Sequence, residues 1–271
     1  MIGPIGIAAL FAVFVWWVST GAILLAVRMV DRRPVDSHFT LTVTTLGIFV
    51  VGLWGYHETL NRSDIVGAYF AFVSVLAIWG WIELAFLSGV ITGPNKLSAP
   101  QGIPEWERFV RAWGTVAHHE ILLFIVLICL CFISWEQSNI FGLLTFSILY
   151  FARISAKLNL YFGVPFINTE FIPKRLKHMP SYFRKAKLNW FFPVSVTILT
   201  FAVALFIACI YEAQTPGDKI GFTLLAALSG LALLEHWLMV VPLPDAKLWR
   251  WMLPSSNVLN KDLRSEDAHG L

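Results

Sequence analysis

An all-α, polytopic membrane protein of seven spans is the fold class this sequence predicts, and three observations predict it. Hydrophobic residues make up 57% of the 271 and charged residues only 14%, with a mean hydropathy of +0.69, whereas soluble chains run at about 45–50% apolar and about 25% charged. The apolar residues gather into seven runs, each long enough to cross the ~30 Å hydrocarbon core of a bilayer, and in lipid such a run satisfies its backbone as a helix. Lys and Arg concentrate in alternate connections between the runs.

The first run, 5–28, opens MIGPIGIAALF without a basic segment, and no small-x-small site precedes its first charges, so it reads as a retained helix and not a cleaved signal. The second, 39–57, closes on His57 and Glu58. The third, 66–91, carries Glu83 in WGWIELAFLSG. Before the fourth, in IPEWERFVRAW, Pro104 is placed to open a helix, and Trp106, Phe109, Val110 and Trp113 recur at i, i+3, i+4 and i+7. That pattern predicts a short interfacial helix lying on the leaflet.

The fourth run, 115–135, is introduced by His118, His119 and Glu120, and the fifth, 140–164, contains Arg153, Lys157 and Asn159. The sixth is 191–212, and the seventh, 220–241, holds Glu235 and His236 near its end. One helix-bundle domain over 1–254 is expected, followed at 255–271 by a polar tail with no apolar period and no expected fixed structure.

Orientation follows from the basic residues. Arg28, Arg32 and Arg33, then Lys96, Arg108 and Arg111, then the six between Lys174 and Lys187, then Lys247, Arg250, Lys261 and Arg264 all fall on one side. The other side has only Arg62 and Lys219. The positive-inside rule therefore puts the N-terminus outside and the C-terminus in the cytoplasm. The net charge of +3 hides this asymmetry. A basic inner face suits anionic lipid and carries no nucleic-acid signal. Cys129, Cys131 and Cys209 lie inside runs without metal-type spacing and read as small packing residues. No phosphate-binding glycine loop, nucleophile elbow or His-Glu-x-x-His motif is present.

The informative residues are the ionisable ones inside the runs. At ~1.5 Å per residue, Glu83, His118, His119, Glu120, Arg153, Lys157, Glu235 and His236 all fall in the cytoplasmic half, contributed by four segments. Such groups are expensive in lipid and normally turn inward to meet one another. Three readings stand. In a structural ion-pair network, Arg153 and Lys157, spaced i, i+4, bridge carboxylates on two neighbouring helices, with Asn159 beside them. A metal site for Fe, Mn or Zn draws on Glu83, His118, His119, Glu120, Glu235 and His236, although no Glu-x-x-His pair occurs and successive residues point ~100° apart. A tetrapyrrole pocket, for haem or a bacteriochlorophyll precursor, takes His119 or His236 as axial ligand.

The segments HFTLTVTTLGIFVVGLWGYHETLNRSD (38–64), WGWIELAFLSGVITGP (79–94), WGTVAHHEILL (113–123) and ARISAKLNLYFGVPFINTEFIP (152–173) resemble the PuhE family of photosynthetic complex assembly proteins of purple phototrophic bacteria. The resemblance covers most of the chain from the second run to the seventh. It implies an inner-membrane helper for the reaction centre and its antenna, or for bacteriochlorophyll supply, with reaction-centre or antenna subunits and pigment-synthesis proteins as partners. It supplies no catalytic residues. The expected function is thus that of an assembly factor, and the alternative is a membrane-embedded metal-dependent oxidoreductase acting on a tetrapyrrole or other apolar substrate.

Overall fold

The structure, a computed structural model, describes residues 3–34, 36–170 and 172–242. The expectations for Lys247, Arg250, Lys261, Arg264, Phe171 and the tail lie outside the described residues. Within them, seven helical segments are long and apolar enough to cross a membrane. The chain is a multi-pass membrane helix bundle, and its extended backbone among the described residues is limited to an isolated parallel bridge between Val164 and Lys185.

Helix α1 spans Pro4–Val30, with proline at its start where a missing N–H costs nothing. The second span is divided, as α2 (Asp36–Thr44) and α3 (Leu46–Thr59), where the sequence predicts one helix. The local cause is its threonine run. Thr45 Oγ1 donates to the Leu41 carbonyl at 2.7 Å and to the Thr42 carbonyl at 3.2 Å, and Thr44 Oγ1 to the Thr40 carbonyl at 2.8 Å. Hydroxyls that bond back in this way compete with the helical ladder and bend it. Helix α4 (Ile65–Leu87) starts at Asp64, whose carboxylate accepts from the Gly67 amide at 2.8 Å.

Helix α5 runs without interruption from Glu105 to Ile133, 29 residues or ~43 Å. Residues 105–113 are helical and expose Trp106, Phe109, Val110 and Trp113, but they continue straight into the span instead of turning into it. Nothing between Trp113 and Thr115 breaks the helix, and the extra length carries the aromatics to the interface. Helices α6 (Phe141–Phe162), α7 (Phe191–Glu212) and α8 (Pro216–Leu238) complete the bundle. Cys129 and Cys131 point outward from α5, so they do not serve as the packing residues their position suggested.

Helices α4 and α8 are the most enclosed. One cluster of buried side chains, including Ala12, Phe72, Phe141, Phe206 and Leu225, joins α1, α4, α6, α7 and α8. A second, including Tyr56, Ile78, Leu123 and Phe146, joins α3, α4, α5 and α6. Close approach depends on small residues, as expected where lipid competes equally for apolar side chains. A Cβ on Gly52 would stand 2.8 Å from the Ser74 carbonyl oxygen of α4.

Alternate connections meet at common ends. At the basic end, the Lys174 amide donates to Asp31 Oδ2 at 3.2 Å, the Ala99 amide to Ser181 Oγ at 2.8 Å and the Phe166 amide to the Met239 carbonyl at 3.1 Å. At the opposite end, Asn139 donates from its backbone to the Leu60 carbonyl at 2.9 Å and from its side chain to the Arg62 carbonyl at 3.0 Å. These bonds tie together the same loops that the distribution of Lys and Arg groups together.

Candidate functional site: an intramembrane charge network beside a cavity

One short connection positions the site. After α4, residues 88–95 fold back onto α5: Asn95 Nδ2 donates to the Arg111 carbonyl at 2.9 Å, the Asn95 amide to the Gly114 carbonyl at 3.0 Å, and the His119 amide to the Thr92 carbonyl at 2.9 Å. Gly93 lies against the backbone of Gly114, Thr115 and Val116, where any Cβ would collide. This docking fixes α5 beside the end of α4 and sets the rotation of its His-His-Glu turn.

His119 is the inward histidine, fully buried, and His118 is exposed on the outer face of α5. Successive residues on a helix diverge by ~100°, so only one of them can face the bundle. His119 Nδ1 lies 3.4 Å from Lys157 Nζ, and its Nε2 lies 3.6 Å from Glu83 Oε1. The same Nδ1 lies 3.4 Å from Glu120 Oε1, so the ring stands between a donor, Lys157, and two acceptors, Glu120 and Glu83. Arg153 donates to Glu83 Oε2 at 2.8 Å, and Lys157 is hydrogen-bonded to Glu120. Arg153 and Lys157 thus span two carboxylates, Glu83 on α4 and Glu120 on α5. Two anions meet two cations, and the network is neutral without a protonated histidine.

Phe86 forms the floor. Its ring lies 4.4 Å from the His119 ring, with Lys157 Nζ 5.2 Å and the Arg153 guanidinium 5.9 Å from its centroid. Phe86 stands where the histidine of a Glu-x-x-His pair beginning at Glu83 would stand. Its i+3 offset from Glu83 was the signal that placed it on the same face.

The remaining predicted site residues go elsewhere. His236 is buried, its Nδ1 2.8 Å from the Ala232 carbonyl and its Nε2 2.9 Å from Ser155 Oγ, and so it ties α8 to α6. Asn159 is not part of the ion network. It donates to Ser195 Oγ at 2.9 Å and accepts from Asn189 Nδ2 at 3.1 Å, while Asn189 Oδ1 accepts from the Phe191 and Phe192 amides, each at 2.9 Å, and caps α7. Glu235 makes no hydrogen bond or ion pair among the described residues. The depth argument gave these groups one level; their helical rotation separates them. No three His, Cys, Asp or Glu side chains converge on a possible metal position among the described residues.

Glu235 instead lines a cavity of about 410 Å³ enclosed by α1, α4, α6, α8 and the connection after α6. Glu83, Arg153 and Lys157 face the same space, while neither His119 nor His236 reaches its wall. Outside the spans, His178 is held below its ordinary pKa by burial and by the nearby Lys96 charge. Lys96 is itself lowered by burial and by Arg175.

Comparison with known proteins follows from this chain of seven spans. A protein of Rhodobacter capsulatus described as "Uncharacterized 30.4 kDa protein in puhA 5'region" is 50% identical over 249 residues, covering 92% of this chain and 91% of its own length. No solved structure matches. A family described as "Protein of unknown function (DUF3623)" matches residues 2–260, and the chain therefore belongs to that family.

Proposed function

We propose that this protein is an integral inner-membrane assembly factor for photosynthetic complexes, assisting the reaction centre and its antenna or modulating the bacteriochlorophyll that reaches them. The observation that carries the reading is the half-identical relative whose description places it in the puhA 5′ region. The resemblance of four segments to the PuhE family supports the same context. The geometry supports a helper more than a catalyst: the strongest cluster of charged groups is internally neutral and committed to holding α4, α5 and α6 together. Partners are reaction-centre or antenna subunits and pigment-synthesis proteins, met through lipid-facing helices and the basic end.

The test is removal of the gene from a phototrophic host, with complementation in trans. The expected result is a fall in the near-infrared absorption of reaction centre and antenna relative to total membrane protein, restored by the wild-type chain. Unchanged complexes under phototrophic and semi-aerobic growth would remove the proposal.

A further inference from the structure

The cavity holds a second piece of chemistry that the ion network does not use. It reaches from the connection at the basic end down to Trp16, 14 residues from the end of α1 and so ~21 Å into the bilayer. Its volume of about 410 Å³ falls within the range of small-molecule sites, about 300–1,000 Å³. Its deep walls are mainly apolar, formed by Trp16, Ile23, Leu76, Trp79 and Leu228 with Ser19 and Thr20 among them, and Leu176, Met179 and Phe183 cover it from the basic end. Those three fall within 174–187, a stretch that carries six Lys and Arg residues. Their burial over the cavity explains why a polybasic segment is interleaved with large apolar side chains.

Charged groups lie between these two apolar regions. Arg153 and Lys157 are committed to Glu83 and Glu120, which leaves Glu235 as the excess carboxylate of the group. It lies three residues before the end of α8 and its side chain is accessible within the lining. Glu83 also lines the cavity, but its Oε1 is buried on the side of His119 and is not available to an occupant. Three carboxylates face two cations, so the surplus on offer to an occupant is hydrogen-bond acceptance and a negative potential. This is opposite in sign to the surface directly outside, where basic residues favour anionic headgroups.

We propose that this cavity binds an apolar amphiphile whose head group donates hydrogen bonds and carries zero or positive charge, with Glu235 as its principal acceptor. A carboxylate or phosphate head would bring a further anion against Glu235, the surplus carboxylate of the lining, and be disfavoured. The site stands independently of what the protein helps to assemble.

The full chain in lipid nanodiscs, titrated with brominated medium-chain amine, alcohol and carboxylate of equal length, provides the test, because Trp16 and Trp79 lie in the wall where bromine quenches fluorescence. Saturable quenching by the amine and alcohol is expected, with the amine at least about tenfold tighter than the carboxylate, or about 1.4 kcal/mol. Glu235→Gln, a substitution that needs no repacking, is expected to collapse that difference, and Ala152→Phe to abolish saturable quenching by filling the lining. Tightest binding by the carboxylate, an order unchanged in Glu235→Gln, or no saturable quenching of the wild-type chain by any of the three would overturn the proposal.

Discussion

Replacing Arg153 with Met removes the cation hydrogen-bonded to Glu83 while keeping the length of the side chain. Glu83 is then a carboxylate with 10% of its side chain exposed, facing only the Nε2 of His119 at 3.6 Å. Breaking a buried pair by removing one partner costs about 3–5 kcal/mol, because the survivor remains desolvated. Arg153 is itself 35% exposed toward the cavity, which places the expected loss at the lower end, about 3 kcal/mol. That corresponds to a ~150-fold shift in the folding equilibrium. Removing both partners, in Glu83→Met with Arg153→Met, leaves no uncompensated charge and is expected to fall within about 1 kcal/mol of wild type. The double variant therefore folds better than Arg153→Met alone, and the cycle yields a coupling of at least about 2 kcal/mol. Equilibrium unfolding in mixed micelles at increasing mole fraction of denaturing detergent measures all four proteins. Arg153→Met within 1 kcal/mol of wild type, or losses that simply add, would refute the argument that the pair is a desolvated unit.

Other expectations follow from the same geometry. His119→Ala should lower the amount of inserted protein and its melting temperature, while His118→Ala, on the outward face, should leave both within about 0.5 kcal/mol of wild type; equal behaviour in membrane fractions would contradict the assigned rotation of α5. Gly93→Ala should cost about 1–3 kcal/mol in the unfolding assay, because its methyl group would meet the backbone of α5. Asn189→Ala should cost about 1–3 kcal/mol through loss of the α7 cap and of the bond to Asn159, read as faster amide exchange at Phe191 and Phe192. For His178 the sign is set by its lowered pKa: the unfolded chain binds the proton more readily, so the contribution to stability is complete above about pH 6.5 and is lost as pH falls toward the folded value. Wild-type protein should melt earlier at pH 5.5 than at 7.5, and His178→Gln should lack that component; identical pH profiles would count against the buried, cation-flanked placement.

Most of the architecture was legible because lipid leaves few choices. Runs of apolar residues become helices, and alternating basic connections sort the loops into two groups that the hydrogen bonds then join. The break at Thr45 was not read, although its cause, a run of threonines able to bond back to the preceding turn, stood in the sequence. Nor was the continuity of α5, since an aromatic stripe beside charges suits both a helix lying flat and the projecting start of a tilted one. For the site, the i, i+4 spacing of Arg153 and Lys157 was enough to suggest a bridge across two helices. Depth alone grouped Glu235, His236 and Asn159 with it, because depth carries no information about rotation. Rotation is set by tertiary contacts, here the docking of residues 92–95 on α5, and no periodicity encodes that contact. The cavity was invisible for the same reason, being a property of four helices and a returning loop together.

The central claim is that the protein serves the assembly of photosynthetic complexes by transient contact with their parts. A pulse–chase experiment tests this most directly: the tagged chain is isolated from a phototrophic host after brief labelling, and labelled reaction-centre and antenna polypeptides are followed in the isolate. The account predicts that newly made subunits appear with the protein early and leave it during the chase as mature complexes accumulate. Absence of labelled subunits at every time point, with the protein intact in the membrane, would contradict it.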